Sequence, residues 1–168
     1  MLRRHALAAI AGLAVITPID ARAADPLPTV TYKLLPAALS LEAAQAALAA
    51  CKTQGYNVTV SVVDRLGLSQ ILIVGDGASP TGRTLAPRKA YTSALRRITT
   101  GELNQRVSVP GAFNPLQFDA QLTIERGGVP INVDKETVGA IAVSGAPGGD
   151  KDEACAEAGI AKISDRLK

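Results

Sequence analysis

Tryptophan is absent from the 168 residues, and histidine and methionine occur once each, as His5 and Met1. Both lie in the first 23 positions, which have the form of a targeting signal. Arg3, Arg4 and His5 open the segment, 6–16 is an apolar run too short to span a bilayer, and Ala21, Arg22 and Ala23 give a small-x-small cleavage pattern. Pro18 and Asp20 stop the run from lengthening into a membrane anchor. The expectation is cleavage after Ala23 and export, to the periplasm or beyond the cell, with no membrane span left. The exported chain then contains neither histidine nor methionine. That excludes histidine-based zinc sites, Ser-His-Asp and Cys-His catalysis, and ligation of iron by His or Met.

An excess of one charge sign is also missing. Removal of Arg3, Arg4, Arg22 and Asp20 takes 18 basic and 15 acidic residues to 15 and 14, a net of +1. With aromatics at 3%, this is a poor footprint for nucleic acid. The full chain of 168 residues, at 47% hydrophobic and 20% charged, suffices for one globular domain with a proper core. The expected organisation is a signal peptide over 1–23, an extended arm over 24–39 and one domain over 40–168.

Only two cysteines occur, Cys51 and Cys155, each on a predicted helix. An even count in an exported chain favours a disulfide stapling the first helix to the last; two buried thiols acting as small hydrophobes are the alternative.

Prolines 26, 28 and 36 keep the arm extended, with a possible short strand over 29–32. A first helix is expected over 41–54, capped by Ser40 and stopped by Gly55, with Leu41, Ala44, Leu48 and Cys51 on its buried face. Alternation over 56–64 and a turn at 65–67 predict a hairpin with 68–74. A glycine-rich loop follows, then a helix from about residue 85, with Pro87 in its first turn. Residues 101–120 carry Pro110, Gly111 and Pro115 and read as irregular, with Phe113 and Phe118 tucking them onto the core. Three more strands are expected over 122–125, 129–134 and 138–143, the last almost wholly apolar and therefore central. A final helix begins after Asp150, with Glu153 completing a capping box, and presents Cys155, Ile160, Ile163 and Leu167. This order is not a strict alternation of strand and helix. It predicts an α+β domain with a five-stranded antiparallel sheet and flanking helices.

The segment RKAYTSALRR, residues 88–97, places four cations in ten residues. Tyr91, Ala94, Leu95 and Ile98 have the spacing of a buried stripe, while Arg88, Thr92 and Arg96 stack along one ridge and Lys89, Ser93 and Arg97 along the next. Three readings are open: a solvated face, a nucleic-acid contact, or a site where guanidinium and hydroxyl groups meet a carboxylate beside an apolar floor. Spacing alone does not choose between the first and the third.

The ordered series CKTQGYNVTVSVVDR, GDGASP, RKAYTSA, GGVPI, VGAIAVSGA and DEACAEAGI resembles the GlcG/HbpS family of haem-binding proteins. The resemblance implies a profilin-like or roadblock-like domain, assembly into homo-oligomers, haem as cofactor and, in some members, haem degradation or a protein partner. It implies a pocket where three elements meet: Arg88, Lys89, Tyr91 and Thr92 on the basic helix, Gly127 and Gly128 in a double-glycine loop, and Ser144 and Gly145 after the last strand. Glycines there would let backbone approach a flat ligand, and Arg88 and Lys89 would meet its carboxylates. The sequence departs from many exported relatives after Pro80, where Thr81 replaces a histidine. Axial ligands would then have to come from Tyr32, Tyr56, Tyr91 or a free cysteine. No metal site formed by protein ligands alone is expected.

Two other functions stay open: binding or turnover of a small organic anion by the same cations, and an accessory module acting through a partner surface. Asp64, Asp150, Asp152 and Glu153 lie near turns, and turn and cap duties account for them, so no catalytic acid–base pair is defined.

Overall fold

The structure is a computed structural model and describes residues 29–168. The expected signal peptide and the first residues of the arm lie outside the described residues. Residues 29–31 are exposed and have no regular structure, so the short strand expected over 29–32 is not formed. The compact unit comprises residues 32–168.

Its elements are α1 (Ala37–Thr53), β1 (Thr59–Asp64), β2 (Ser69–Val74), α2 (Pro80–Arg96), α3 (Thr100–Val107), β3 (Gly128–Val133), β4 (Glu136–Ser144) and α4 (Gly149–Ile163). The sheet is antiparallel throughout, in the order β2-β1-β4-β3. The class is α+β as expected, but the sheet has four strands and not five. Residues 122–125 pair with no strand. Side chains satisfy their backbone instead: Arg88 donates to the Leu122 carbonyl, Thr92 accepts from the Thr123 amide, and Asn104 donates to the Ile124 carbonyl. Once these groups are paired by α2 and α3, a fifth ladder is not needed.

Alternation along the strands sorts the core into two layers. Val60, Val62, Ile131, Ile141 and Val143 face α1 and α4 in the main apolar cluster. The opposite face carries small and polar residues, Thr59, Ser61, Ala140, Ala142 and Ser144, under Ala86, Ala90 and Ala94 of α2. Cys51 and Cys155 form the expected disulfide, their Cα atoms 5.5 Å apart, and tie α1 to α4. β4 lies inside the sheet with eight of its nine residues buried, as its apolar run required.

Several local expectations shift. α1 begins at Ala37, so Ser40 is a buried first-turn residue that donates to Gln70 on β2 (2.6 Å) and does not cap the helix. Leu41 is exposed, and Ala43, Ala44 and Ala47 fill the face beside Cys51. α2 begins at Pro80, capped by Ser79, whose hydroxyl accepts from the Gly82 amide (3.0 Å). Pro87 therefore stands inside the helix, which leaves the Arg83 carbonyl without its helical donor. The buried stripe of α2 is Ala86, Lys89, Ala90, Ser93 and Ala94, while Leu95 is exposed. Within 101–120, α3 forms behind a Thr99 cap that accepts from Glu102 (3.0 Å), with a Glu102–Arg106 ion pair one turn apart. Phe113 and Phe118 stack on each other at 5.6 Å and stay exposed, so they do not enter the core. α4 starts at Gly149, and Asp150 makes no side-chain cap.

Candidate functional site

Four chain segments that are distant in sequence enclose a cleft of about 380 Å³. They are the first turns of α2, the loop at Glu125 and Arg126, the exit of β4 at Ser144 and Gly145, and the start of α4. Lys89 forms its floor. This lysine is only 3% exposed, because it belongs to the stripe that α2 presses on the sheet. Its ammonium donates to Asp152 Oδ2 (2.8 Å) and to the Val143 carbonyl (3.1 Å). A buried cation requires such partners, since stripping its water costs several kcal/mol. Asp152 is equally buried, and its other oxygen accepts from the Ala146 amide (2.9 Å). Burial raises the Asp152 pKa, against the opposing pull of Lys89 and of the Ala146 and Gly145 amides. At the rim, Arg126 donates to Glu153 (2.7 Å).

The double glycine is explained by packing. Gly127 has φ +128°, and a Cβ there would sit 2.7 Å from Asp152 Cβ and 3.1 Å from Lys89 Nζ. A Cβ on Gly128 would sit 2.5 Å from the Lys89 carbonyl oxygen. Any larger residue would push the loop off α2 and open the ion pair. These glycines bring backbone up to the lysine; neither lines the cleft.

Of the residues expected to meet, Lys89, Ser144 and Gly145 line the cleft and Gly127 and Gly128 lie directly behind it. Arg88, Tyr91 and Thr92 point elsewhere. Arg88 clamps three successive carbonyls, those of Ala120 (3.0 Å), Gln121 (3.3 Å) and Leu122 (2.8 Å). Thr92 is fully buried between the Arg88 carbonyl and the Thr123 amide. Tyr91 donates to Asp119 (3.0 Å), a hydrogen bond that raises its pKa, and its ring lies where a Gly67 Cβ would stand (2.6 Å). One ridge of α2 thus fastens the segment 119–123, and the neighbouring ridge supplies the cleft.

Asp152 and Arg126 were not anticipated. Its position at a helix start suggests cap duty, yet Asp152 falls in step with Cys155, Ala156, Gly159 and Ile163 on the buried stripe of α4. A carboxylate on such a stripe demands a cation, and that signal was legible. Asp64, by contrast, does the turn work expected of it, accepting from the Leu66 (2.8 Å) and Leu68 (2.9 Å) amides.

A tetrapyrrole would find cations for its carboxylates at this cleft but no strong iron ligand. The described residues contain no histidine or methionine, both cysteines are bonded, and no tyrosine lines the cleft. Thr81, at the rim, offers only a hydroxyl.

Comparison with known proteins fits this architecture. The family model described as haem degrading protein HbpS-like matches residues 35–161. A crystal structure of a double mutant of HbpS from Streptomyces reticuli superposes with a TM-score of 0.74 at 33% identity, covering 88% of this chain and 97% of that one. A crystal structure of a PduOC:heme complex superposes with a TM-score of 0.72 at 25% identity, covering 78% and 96%. An uncharacterized 15.0 kDa protein from the dhaT-dhaS intergenic region of Citrobacter freundii is 30% identical over 115 residues, 65% of this chain and 81% of its own length. The match across most of the described domain, joined to the same fold in related crystal structures, places this chain in the HbpS-like haem-degrading protein family.

Proposed function

We propose that this chain is an exported tetrapyrrole-binding protein that acts in haem or iron handling or sensing, and that it works as a homo-oligomer. The family match over residues 35–161 is the observation that carries this reading. The disulfide between Cys51 and Cys155 supports an oxidising compartment. No helix among the described residues is long and apolar enough to cross a membrane. Titration of the protein with haemin tests the reading: a shifted Soret band at micromolar haemin is the expected result, and an unshifted band ends it.

A second reading concerns the cleft. Its walls are mostly polar, and Lys89 spends two of its three ammonium hydrogens on Asp152 and Val143, leaving the third for a ligand. A small organic carboxylate fits that donor, with Arg126 at the rim as second contact. Replacing Arg126 by alanine should weaken such an anion while leaving haemin affinity unchanged. Equal loss of both would place haemin in this cleft as well.

A further inference from the structure

A second groove supplies what the Lys89 cleft lacks. It has a volume of about 340 Å³, within the range of small-molecule sites, and is bounded by Tyr32, Leu34, Arg65, Leu66, Leu95 and Arg97. Leu34 and Leu66, each about two-thirds exposed, line this groove together and give it apolar walls. The Arg65 guanidinium lies 4.1 Å from the Tyr32 ring centroid and is held there by an ion pair with Glu136. Arg97 ends α2 in the left-handed conformation (φ 58°) and pairs with no acid among the described residues. The Tyr32 hydroxyl makes no hydrogen bond to any described residue.

The other phenols are unsuitable. Tyr91 is committed to Asp119, which holds it protonated, and Tyr56 borders a cavity of only about 90 Å³. Tyr32 alone combines a free phenol, leucine walls and two guanidinium groups. An apolar, planar, dianionic metal complex is complementary to that set: leucines for the ring, Arg97 for a carboxylate, and phenolate for a ferric ion.

We propose that this groove holds ferric haem, with the Tyr32 phenolate oxygen as axial ligand and Arg97 on one carboxylate. The inference rests on the tetrapyrrole reading above and adds the site and the ligand. On binding, Tyr32 gives its hydroxyl proton to water, and the phenolate oxygen replaces a water on iron; iron stays ferric and no electron moves. Arg65, fixed over the ring, fills one face of the phenol and leaves its hydroxyl open to the groove.

The full chain is titrated with haemin and, separately, with iron-free protoporphyrin IX. Wild type should show a shifted Soret band together with the charge-transfer absorption of a ferric phenolate. Tyr32→Phe should abolish that absorption and weaken haemin by about tenfold or more, leaving protoporphyrin affinity unchanged. Arg97→Asn, chosen because asparagine tolerates the left-handed conformation, should weaken both ligands. Tyr32 is 58% exposed, so its variant should melt with wild type. If Tyr32→Phe keeps the phenolate absorption, loses haemin and protoporphyrin equally, or changes only the state of self-association, the inference is overturned while the tetrapyrrole reading stands. Absence of any Soret shift in wild type overturns the tetrapyrrole reading itself.

Discussion

The two faces of the sheet are built on opposite principles. Toward α1 and α4 the strands present valine and isoleucine, a disulfide joins the covering helices, and the main cluster of buried side chains is apolar. Toward α2 they present alanine, serine and threonine with the single valine Val63, and the covering helix brings a lysine to an aspartate. The first face supplies hydrophobic burial in proportion to area; the second accepts small side chains and a costly ion pair. The cleft opens at the edge of the second face. Stability and chemistry are therefore divided between the two sides of one sheet.

The largest expected effect lies on the α2 face. Lys89→Met removes the cation and leaves the Asp152 carboxylate buried alone, at a cost of about 3–5 kcal/mol measured by urea unfolding. A cost below that of an ordinary surface substitution would show that the pair is solvated and erase the contrast between the faces. On the apolar side, Cys51→Ser should lower stability by about 2–5 kcal/mol, since the disulfide closes a loop of 104 residues in the unfolded chain. The loss should be matched by wild type under reducing conditions.

A smaller effect, of opposite sign, is expected at Thr59. Its hydroxyl and that of Ser61 are buried on the α2 face without a hydrogen-bond partner. Thr59→Val keeps the shape, removes the unpaired group and should stabilise the protein by about 1 kcal/mol. Destabilisation would mean that the hydroxyl is satisfied and that the α2 face carries no unpaired polar group at this position.

The smallest effect is a pH dependence. The Asp152 pKa is raised in the folded state, chiefly by burial, so its favourable contribution is complete below the unfolded value of about 3.9 and is lost as pH rises through the folded value. Without Lys89 that folded value moves higher still. The stability deficit of Lys89→Met should therefore be greatest near neutrality and shrink on acidification, where Asp152 is uncharged in both proteins. Parallel stability curves across this range would remove Asp152 from the account.

Much of the fold was legible because it depends on short-range chemistry. The hairpin at 65–67, the buried strand VGAIAV and the pairing of Cys51 with Cys155 all follow from alternation, turn residues and parity. The fifth strand failed because 122–125 has strand-like residues whose backbone is claimed by Arg88, Thr92 and Asn104 from elsewhere in the chain. α3 stands where Pro110 and Pro115 suggest irregular chain, because both prolines lie beyond its end while Thr99 and Glu102 start it. For the site, the basic helix was the right element, but its rotation decided which cation counts. Lys89 turns inward, and Arg88, one residue earlier and some 100° away, becomes a clamp for a loop.

The sequence by itself determined the class of fold, the strand that lies at its centre and the helix that carries the cations, and it favoured the staple between the first and last helices. Those properties are set by periodicity, which acts over a few residues, and by the parity of two cysteines. The tertiary structure decided that Asp152 and Lys89 meet, that Arg88 serves the loop at 120–122, and that Tyr32 borders a groove with Arg65 and Arg97. Such pairings join residues tens of positions apart, and charge and hydrogen bonding select partners only after packing has brought them within reach.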